Sequence, residues 1–445
     1  MSSKKIMLLL SAIISVNAMA GSIDYLAQQD AEYLATPAMV GKIGVSGAYY
    51  NPAGLVWLED GTYMQVNNQT MLKKYSHEYG DSKFESDKPS AFIPSFQVVH
   101  KEGDTAYFFH AGAIGGGGAV DYNGGVGTFA SMADGLKGAV IKKYGDKPII
   151  VLKNVKYTGG TNVQGESYYV SVQGGIAHKL TKSWSGAVGV RLIKATRKFK
   201  GTGNFDLDIE TPKGDIKKTT KFDIDSTREA YGVTGILGLN YHPNEKFNLG
   251  MRYETETKLD FDNKETNLKN GFIDSTNPRL GNMLYSMMLK NPAIKQWTEE
   301  GNGERNLPAM AAMGASYKAT DRLTLLASGN YYFIKGTGDT VGNYKNYDNG
   351  YDLAVGLDYI LNEKFTFMTG YQYTNTGANE KTYTDTDYPL DANMYSVGLK
   401  YNYSEQLQFI GAYSYVDYKP GTNKETQITY KKRVEAFGVS ATYKF

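Results

Sequence analysis

The chain contains five histidines, His77, His100, His110, His178 and His242, and no cysteine. None of the five stands in a Ser, Asp or Glu arrangement that a nucleophilic triad would require. The missing cysteines exclude disulfide scaffolds, thiol catalysis, Cys-held iron–sulfur clusters and Cys-type zinc sites, and nothing in the pattern calls for a cofactor or a metal. The run Gly115-Gly116-Gly117-Gly118 is not a phosphate cradle, because no helix follows a parallel strand there to receive an anion. The chemistry that remains is recognition. Arg191 and Arg197 share one face of a strand from Trp184 to Lys200, and a cation facing apolar surroundings is what a carboxylate-bearing ligand needs. Lys and Arg total 48 against 46 for Asp and Glu, which leaves no basic stripe for nucleic acid.

The elements that would position these residues are strands. In Phe247 to Phe261 the odd positions carry Phe247, Leu249, Met251, Tyr253, Leu259 and Phe261, with Asn248, Arg252, Glu254 and Lys258 between them. The same period of two runs through 365–373 and through the last segment, where Phe437, Val439, Ala441, Tyr443 and Phe445 share a face. Strands are predicted near 61–72, 90–100, 104–114, 166–180, 184–200, 228–241, 246–261, 306–319, 322–336, 350–361, 364–376, 391–403, 406–419 and 432–445. These are about fourteen, an even number, as single-chain outer-membrane barrels have. Tight polar turns such as Thr181-Lys182-Ser183 and Asn362-Glu363-Lys364 alternate with longer Gly-, Asn- and Asp-rich connections. Short turns on one rim and long loops on the other belong to a membrane barrel, and Tyr and Phe crowd the strand ends as in aromatic girdles.

What is left over has its own character. Residues 1–20 combine Lys4 and Lys5, an apolar run from Ile6 to Val16 and Ala18-Met19-Ala20, which predicts a secretory signal peptide too short to span a bilayer. Loops near 115–165 and 262–305 are too long to be connectors. Met132 and Leu136 recur at helical spacing in the first, and Leu280, Met283, Leu284 and Met287 in the second. Such residues could form an apolar capture site at the outer mouth, with Met as an adaptable surface, or could merely hold the loops folded. Residues 21–60 carry Tyr49, Tyr50, Leu55, Val56 and Trp57. A segment this apolar would rather be buried than trail as a tail, and the barrel lumen is the large cavity on offer.

Asn51-Pro52-Ala53, preceded by Gly47-Ala48-Tyr49-Tyr50, together with Gly235-Ile236-Leu237, Tyr253 to Phe261, Leu307-Pro308 and the closing strand, resembles the FadL family of outer-membrane transporters of long-chain fatty acids and other hydrophobic compounds. The resemblance covers nearly the whole mature chain. It implies an all-β fold: a transmembrane antiparallel barrel of about 14 strands (61–445) with an N-terminal hatch (21–60) in the lumen. It implies the Asn51, Pro52, Ala53 motif as part of the hatch, a third strand kinked near Ala113 to Gly118 so that Gly115, Gly116, Gly117 and Gly118 mark a lateral opening, and ligand-facing cations drawn from Arg197, Lys335 and Arg191. The motif also has a local physical sense: Asn51 can close an Asx turn, Pro52 fixes φ, and Ala53 permits close approach to a wall. Tyr443 and Phe445 end the chain as a signal for barrel-assembly machinery would. The expected protein is a monomer in the outer membrane of a Gram-negative-type envelope, surrounded by its lipids, taking up a hydrophobic small molecule passively, and not an enzyme. An open or structural porin with no specific lipid ligand, a barrel hydrolase and an adhesin stay open as alternatives.

Overall fold

The computed structural model describes residues 30–144, 151–159, 161–211, 214–271, 278–298, 303–339 and 347–445. The expected signal peptide at 1–20 and the first residues of the expected hatch lie outside these. Fourteen strands among the described residues form one closed antiparallel barrel. They are β1 Gly61–Tyr79, β2 Ser90–Glu102, β3 Thr105–Tyr122, β4 Val163–Lys179, β5 Trp184–Thr211, β6 Gly214–Asn244 and β7 Phe247–Glu254, followed by β8 Met310–Lys318, β9 Leu323–Tyr332, β10 Gly350–Ile360, β11 Phe365–Asn375, β12 Ala392–Asn402, β13 Leu407–Tyr418 and β14 Ile428–Lys444. β1 closes on β14 over the register Tyr63↔Lys444 to Glu78↔Thr429, so the barrel has no free edge. Six connections, at 103–104, 180–183, 245–246, 319–322, 361–364 and 403–406, are tight and share one rim. No described helix is long and apolar enough to cross a membrane.

The alternation runs inside out relative to a soluble protein. In β5, Val188, Val190 and Leu192 are about half exposed while Arg191 and Arg197 are buried. In β1, Gln65, Asn67, Gln69 and Lys73 are buried while Val66 and Leu72 face outward. An apolar exterior around a polar interior is the pattern of a strand pair solvated by lipid on one side.

Three features differ from the sequence reading. β5 and β6 run far past 200 and 228 as one long hairpin, paired continuously from Trp184↔Tyr241 to Thr211↔Gly214. The alternation persists there, with Phe205, Leu207, Phe222 and Ile224 on the buried face. The strand predicted over 246–261 ends at Glu254. Beyond it the facing reverses, and Thr257, Leu259 and Phe261 turn inward against the Leu307 segment. Finally, the third strand reaches Tyr122, so the glycine run lies within it.

The predicted helices of the long loops are α3 Gly127–Tyr144, α4 Pro278–Leu289 and α5 Pro292–Lys295. They follow two short helices of the N-terminal segment, α1 Ala31–Ala35 and α2 Gly47–Tyr50, and a 3-10 turn at Pro52–Trp57. Residues 30–56 are almost wholly buried against inward-facing side chains of the wall.

Candidate functional site

A segment with so little regular structure must find partners for its buried backbone, and here the wall supplies them. Ser414 of β13 donates to the Leu34 carbonyl at 2.7 Å, and Ser328 of β9 accepts from the Val40 N–H at 3.1 Å. Asn248 of β7 donates to Gly41 at 2.9 Å and Gln173 of β4 to Ala48 at 2.7 Å. Arg252 of β7 donates to the Tyr49 carbonyl, and Ser185 of β5 to that of Ala53 at 2.6 Å. Lys42 lies 2.7 Å from Asp358 of β10 and 2.9 Å from Glu32, which also meets Lys400 of β12 at 3.4 Å. Six or more strands therefore hold one short peptide.

Asn51 sits at the centre of this seat, fully buried. Its Oδ1 accepts the Gly54 N–H at 3.2 Å and caps the 3-10 turn that opens with Pro52. Its other amide atom lies 2.8 Å from the Asn240 side chain, which in turn contacts Asn248 at 2.7 Å. Ala53 is fully buried, with its Cβ near the place where one on Gly238 would stand.

The two acids of α1 behave oppositely. For Glu32, burial raises the carboxyl but is outweighed by Lys42 and then Lys400, which hold it well below the usual carboxylate range. For Asp30, burial, reinforced by the charge of Glu32, pushes the carboxyl up to about 6, although its Oδ1 caps α1 through the Tyr33 N–H at 2.9 Å. A carboxylate whose folded value is raised contributes stability that is complete below its unfolded value of 3.8 and is lost as pH rises through about 6. Docking of the segment is therefore expected to weaken between about pH 4 and pH 6. In Asp30→Asn, which keeps the cap, this dependence should flatten, as hydrogen-exchange protection of residues 31–57 would show.

The three cations singled out by sequence lie in different settings. Arg191 forms a buried two-pronged ion pair with Glu254 at 2.6 and 2.8 Å and also donates to Gln173 at 2.7 Å. It is occupied, and it and Arg252 both lie against the Tyr49 ring, 5.0 and 4.9 Å from its centre. Arg252 reaches Glu254 at 3.4 Å, the internal pairing its spacing suggests. Arg197 is buried under Trp297, 5.1 Å from the ring, with Phe261 at 6.0 Å, Gln296 at 3.4 Å and Asp387 no nearer than 4.0 Å. Lys335 is exposed in the turn after β9, where its N–H donates to the Asn349 side chain at 2.9 Å. The cations that accompany Arg197 are Arg305, 2.6 Å from Asp387, and Arg228, whose charge Arg197 opposes. Sequence offers no signal for Asp387, a loop residue, or for Arg228, the first residue of the strand predicted near 228–241.

Above the N-terminal segment, Met132, Leu136 and Leu284 are buried and Met287 partly so, in one apolar cluster with Phe129, Phe205, Phe222, Phe261 and Trp297. The side chains of Leu280 and Met283 lie outside the described residues. His77 is not a catalytic base: its Nε2 accepts the Gly127 N–H at the start of α3 at 2.9 Å.

At the glycine run the ladder between neighbouring strands stops. The β2–β3 ladder runs from Phe96↔Ala111 to Glu102↔Thr105, while Ser90 and residues 93–95 of β2 pair with β1 outside that ladder. β3 breaks register against β4 between Ala113 and Gly115 and again between Gly115 and Gly118. Gly116 and Gly118 have φ of 97° and 72°, a region closed to most side chains. The result is a bent strand beside an unpaired stretch of wall, which the hairpin arm Ser82–Ser86 approaches again where Ser86 accepts the Asp121 N–H at 2.8 Å.

Residues 154–445 match the family described as outer membrane protein transport protein (OMPP1/FadL/TodX). A long-chain fatty acid transport protein of Escherichia coli is 22% identical over 320 residues, 69% of this chain. The alignment spans 63% of that relative, less than two thirds of its length. Among solved structures, a Pseudomonas aeruginosa FadL homologue is similar with a TM-score of 0.65 at 15% identity, over 96% of this chain and 100% of that one. The Pseudomonas putida toluene transporter TodX gives 0.65 at 12%, over 94% and 99%. The Ralstonia pickettii toluene transporter TbuX gives 0.60 at 14%, over 94% and 98%. At these identities the structures speak for the fold alone.

Proposed function

The chain belongs to the outer membrane protein transport protein (OMPP1/FadL/TodX) family, and from that premise we propose that it is a passive outer-membrane transporter for long-chain fatty acids or other hydrophobic small molecules. Ligand enters through the apolar cluster of α3, α4 and α5 and is held in the lumen near Arg197. It leaves sideways through the unpaired stretch between β2 and β3 after the N-terminal segment shifts as a hatch. The observation that carries this reading is the seat of residues 30–57. A peptide anchored from many strands, by single hydrogen bonds worth about 1 kcal/mol each and by the Lys42–Asp358 and Glu32–Lys400 ion pairs, blocks the lumen yet can be moved contact by contact. A general porin has no use for such an obstruction. Neither relative by name nor contact by geometry supports hydrolysis.

Ligand binding can move the hatch only by favouring the shifted state. The test is saturable uptake of a labelled long-chain fatty acid by cells carrying the protein. Asn51→Ala with Pro52→Ala removes the cap and the amide relay, an expected loss of about 1–2 kcal/mol of local order. Saturable uptake should then fall to the level of cells without the protein. Deleting residues 21–50 should convert the barrel into an ion-conducting pore. Steady conductance from the intact protein with no fatty acid binding would make it a porin and retire the proposal.

A further inference from the structure

Two lysines inside the barrel have no carboxylate within ion-pair distance among the described residues. Lys73 of β1 is 2% exposed, and its ammonium donates to the Ala119 carbonyl of β3 at 2.7 Å, just beyond the glycine run. Lys432 of β14 faces inward but is only partly buried, with its ammonium 4.3 Å from the Tyr388 ring centre, 5.4 Å from Tyr75 and 5.7 Å from Tyr418. Tyr75 also receives Lys73 at 5.8 Å. The two ammoniums thus flank one ring, and Lys73 feels the charge of Lys432 and of Lys88. Lys88 is partly exposed and 3.9 Å from Asp121. The acid whose charge reaches Lys432 is Asp387, which Arg305 already engages at 2.6 Å. Close by, the Gln69 Oε1 and Ser90 Oγ are buried without a hydrogen-bond partner among the described residues, and Ser90 starts the stretch of β2 that leaves β3 unpaired.

Burying like charges together is costly unless an anion lies between them. Tyrosine faces relieve part of the cost of Lys432, but rings cannot neutralise a pair. We propose that Lys73 and Lys432, framed by Tyr75, Tyr388 and Tyr418, bind the anionic head of an acyl-chain amphiphile at the inner edge of the unpaired β2–β3 stretch. The site rests on the transporter reading and adds to it the residues of β1 and β14 that meet the head, in addition to Arg197 on β5. A head held there points its chain toward the gap in the wall, with the Ser90 hydroxyl available to donate to its oxygens. Because Lys73 also holds β3 through Ala119, an anion that draws the ammonium away frees the bent strand at the moment the ligand arrives.

The experiment compares oleate with oleyl alcohol, which shares the chain and lacks the charge, on the full-length protein in lipid nanodiscs. The wild type should bind oleate more tightly than the alcohol. Lys73→Met with Lys432→Met should weaken oleate at least about tenfold, the loss expected of charge-assisted contacts, and change the alcohol by less than about twofold. Lys432→Arg should restore most of the oleate affinity, and the single variants Lys73→Gln and Lys432→Gln should each show part of the loss. Retained alcohol binding certifies that a variant is folded. Unchanged oleate affinity in the double variant, or an equal loss for both probes, overturns the site while leaving the transporter. A wild type that binds neither probe overturns both.

Discussion

Glu254→Gln is expected to lower the stability of the barrel by about 3–5 kcal/mol, the cost of stripping a buried ion pair of one partner, and to raise its ion conductance. Glu254 is 7% exposed and is met by the Arg191 guanidinium at 2.6 and 2.8 Å and by Arg252 at 3.4 Å. Glutamine keeps the shape but leaves two guanidiniums beside the Tyr49 ring without a counter-charge. Neither can withdraw to water, because Arg191 is packed by Gln173 and Arg252 is bonded to the Tyr49 carbonyl. The strain falls on the proposed hatch, since Tyr49 is its nearest movable part. The measurements are the temperature at which the folded barrel loses its compact gel migration, and single-channel current in a planar bilayer. Adding Arg191→Met to Glu254→Gln should recover part of the loss, because it removes one of the two guanidiniums left without a counter-charge. A Glu254→Gln protein as stable and as closed as the parent would show that the pair contributes nothing.

Much of this architecture is legible in the chain because a period of two records which face each residue takes. The apolar faces of β5 and β14 could be assigned from Val188, Val190 and Leu192 or from Phe437 and Val439 alone. The tight turns carry their own chemistry, as where Asn362 accepts the Lys364 and Phe365 N–H groups at 2.9 and 3.0 Å. Period says nothing about where a strand leaves its neighbour, however. Thr255, Thr257, Leu259 and Phe261 continue the odd-numbered pattern of β7, yet the chain slips between Glu254 and Thr257 and the same parity turns from lipid to lumen. Gly201, Gly203, Asp206 and Asp208 read as a loop because they are poor strand formers, and pairing with β6 overrides that preference. The candidate site was legible as far as the residues that share a strand. Which cation is already paired depends on chain-distant partners such as Glu254 for Arg191 and Asp387 for Arg305, and Lys73 and Lys432 stand out only when the absence of such partners is seen.

Gly250→Val is expected to expel the N-terminal segment and leave an open, ion-conducting barrel that no longer takes up a hydrophobic ligand. A Cβ at Gly250 would collide with the Val40 carbonyl and stand 2.7 Å from the Asn51 amide nitrogen. Both obstacles belong to the proposed hatch, and the nearer of them is backbone. The β7 ladder to β6 and β8 uses backbone groups that this substitution does not touch, so the barrel should still close. Gly250 is one of a series in which the wall gives up side chains so that the peptide can lie against it. A Cβ at Gly398 would meet the Ala35 Cβ, and one at Gly438 would lie 2.8 Å from Leu34 and 3.0 Å from Ala31. Small residues on the segment, Ala31, Ala35 and Ala53, face small residues on the strands. Forcing bulk into such a contact costs about 1–3 kcal/mol by overpacking, comparable with the single hydrogen bonds that fix each stretch of the segment, so one valine is enough to tip it. Gly411→Val is the control, because nothing lies within 4 Å of its Cβ position, and it should leave conductance and uptake unchanged. A closed, transporting Gly250→Val protein would mean that the segment does not hold the lumen shut through this contact. An open one would separate what the glycines do from what Asn51 does, since the motif itself is intact and only its seat has been taken away.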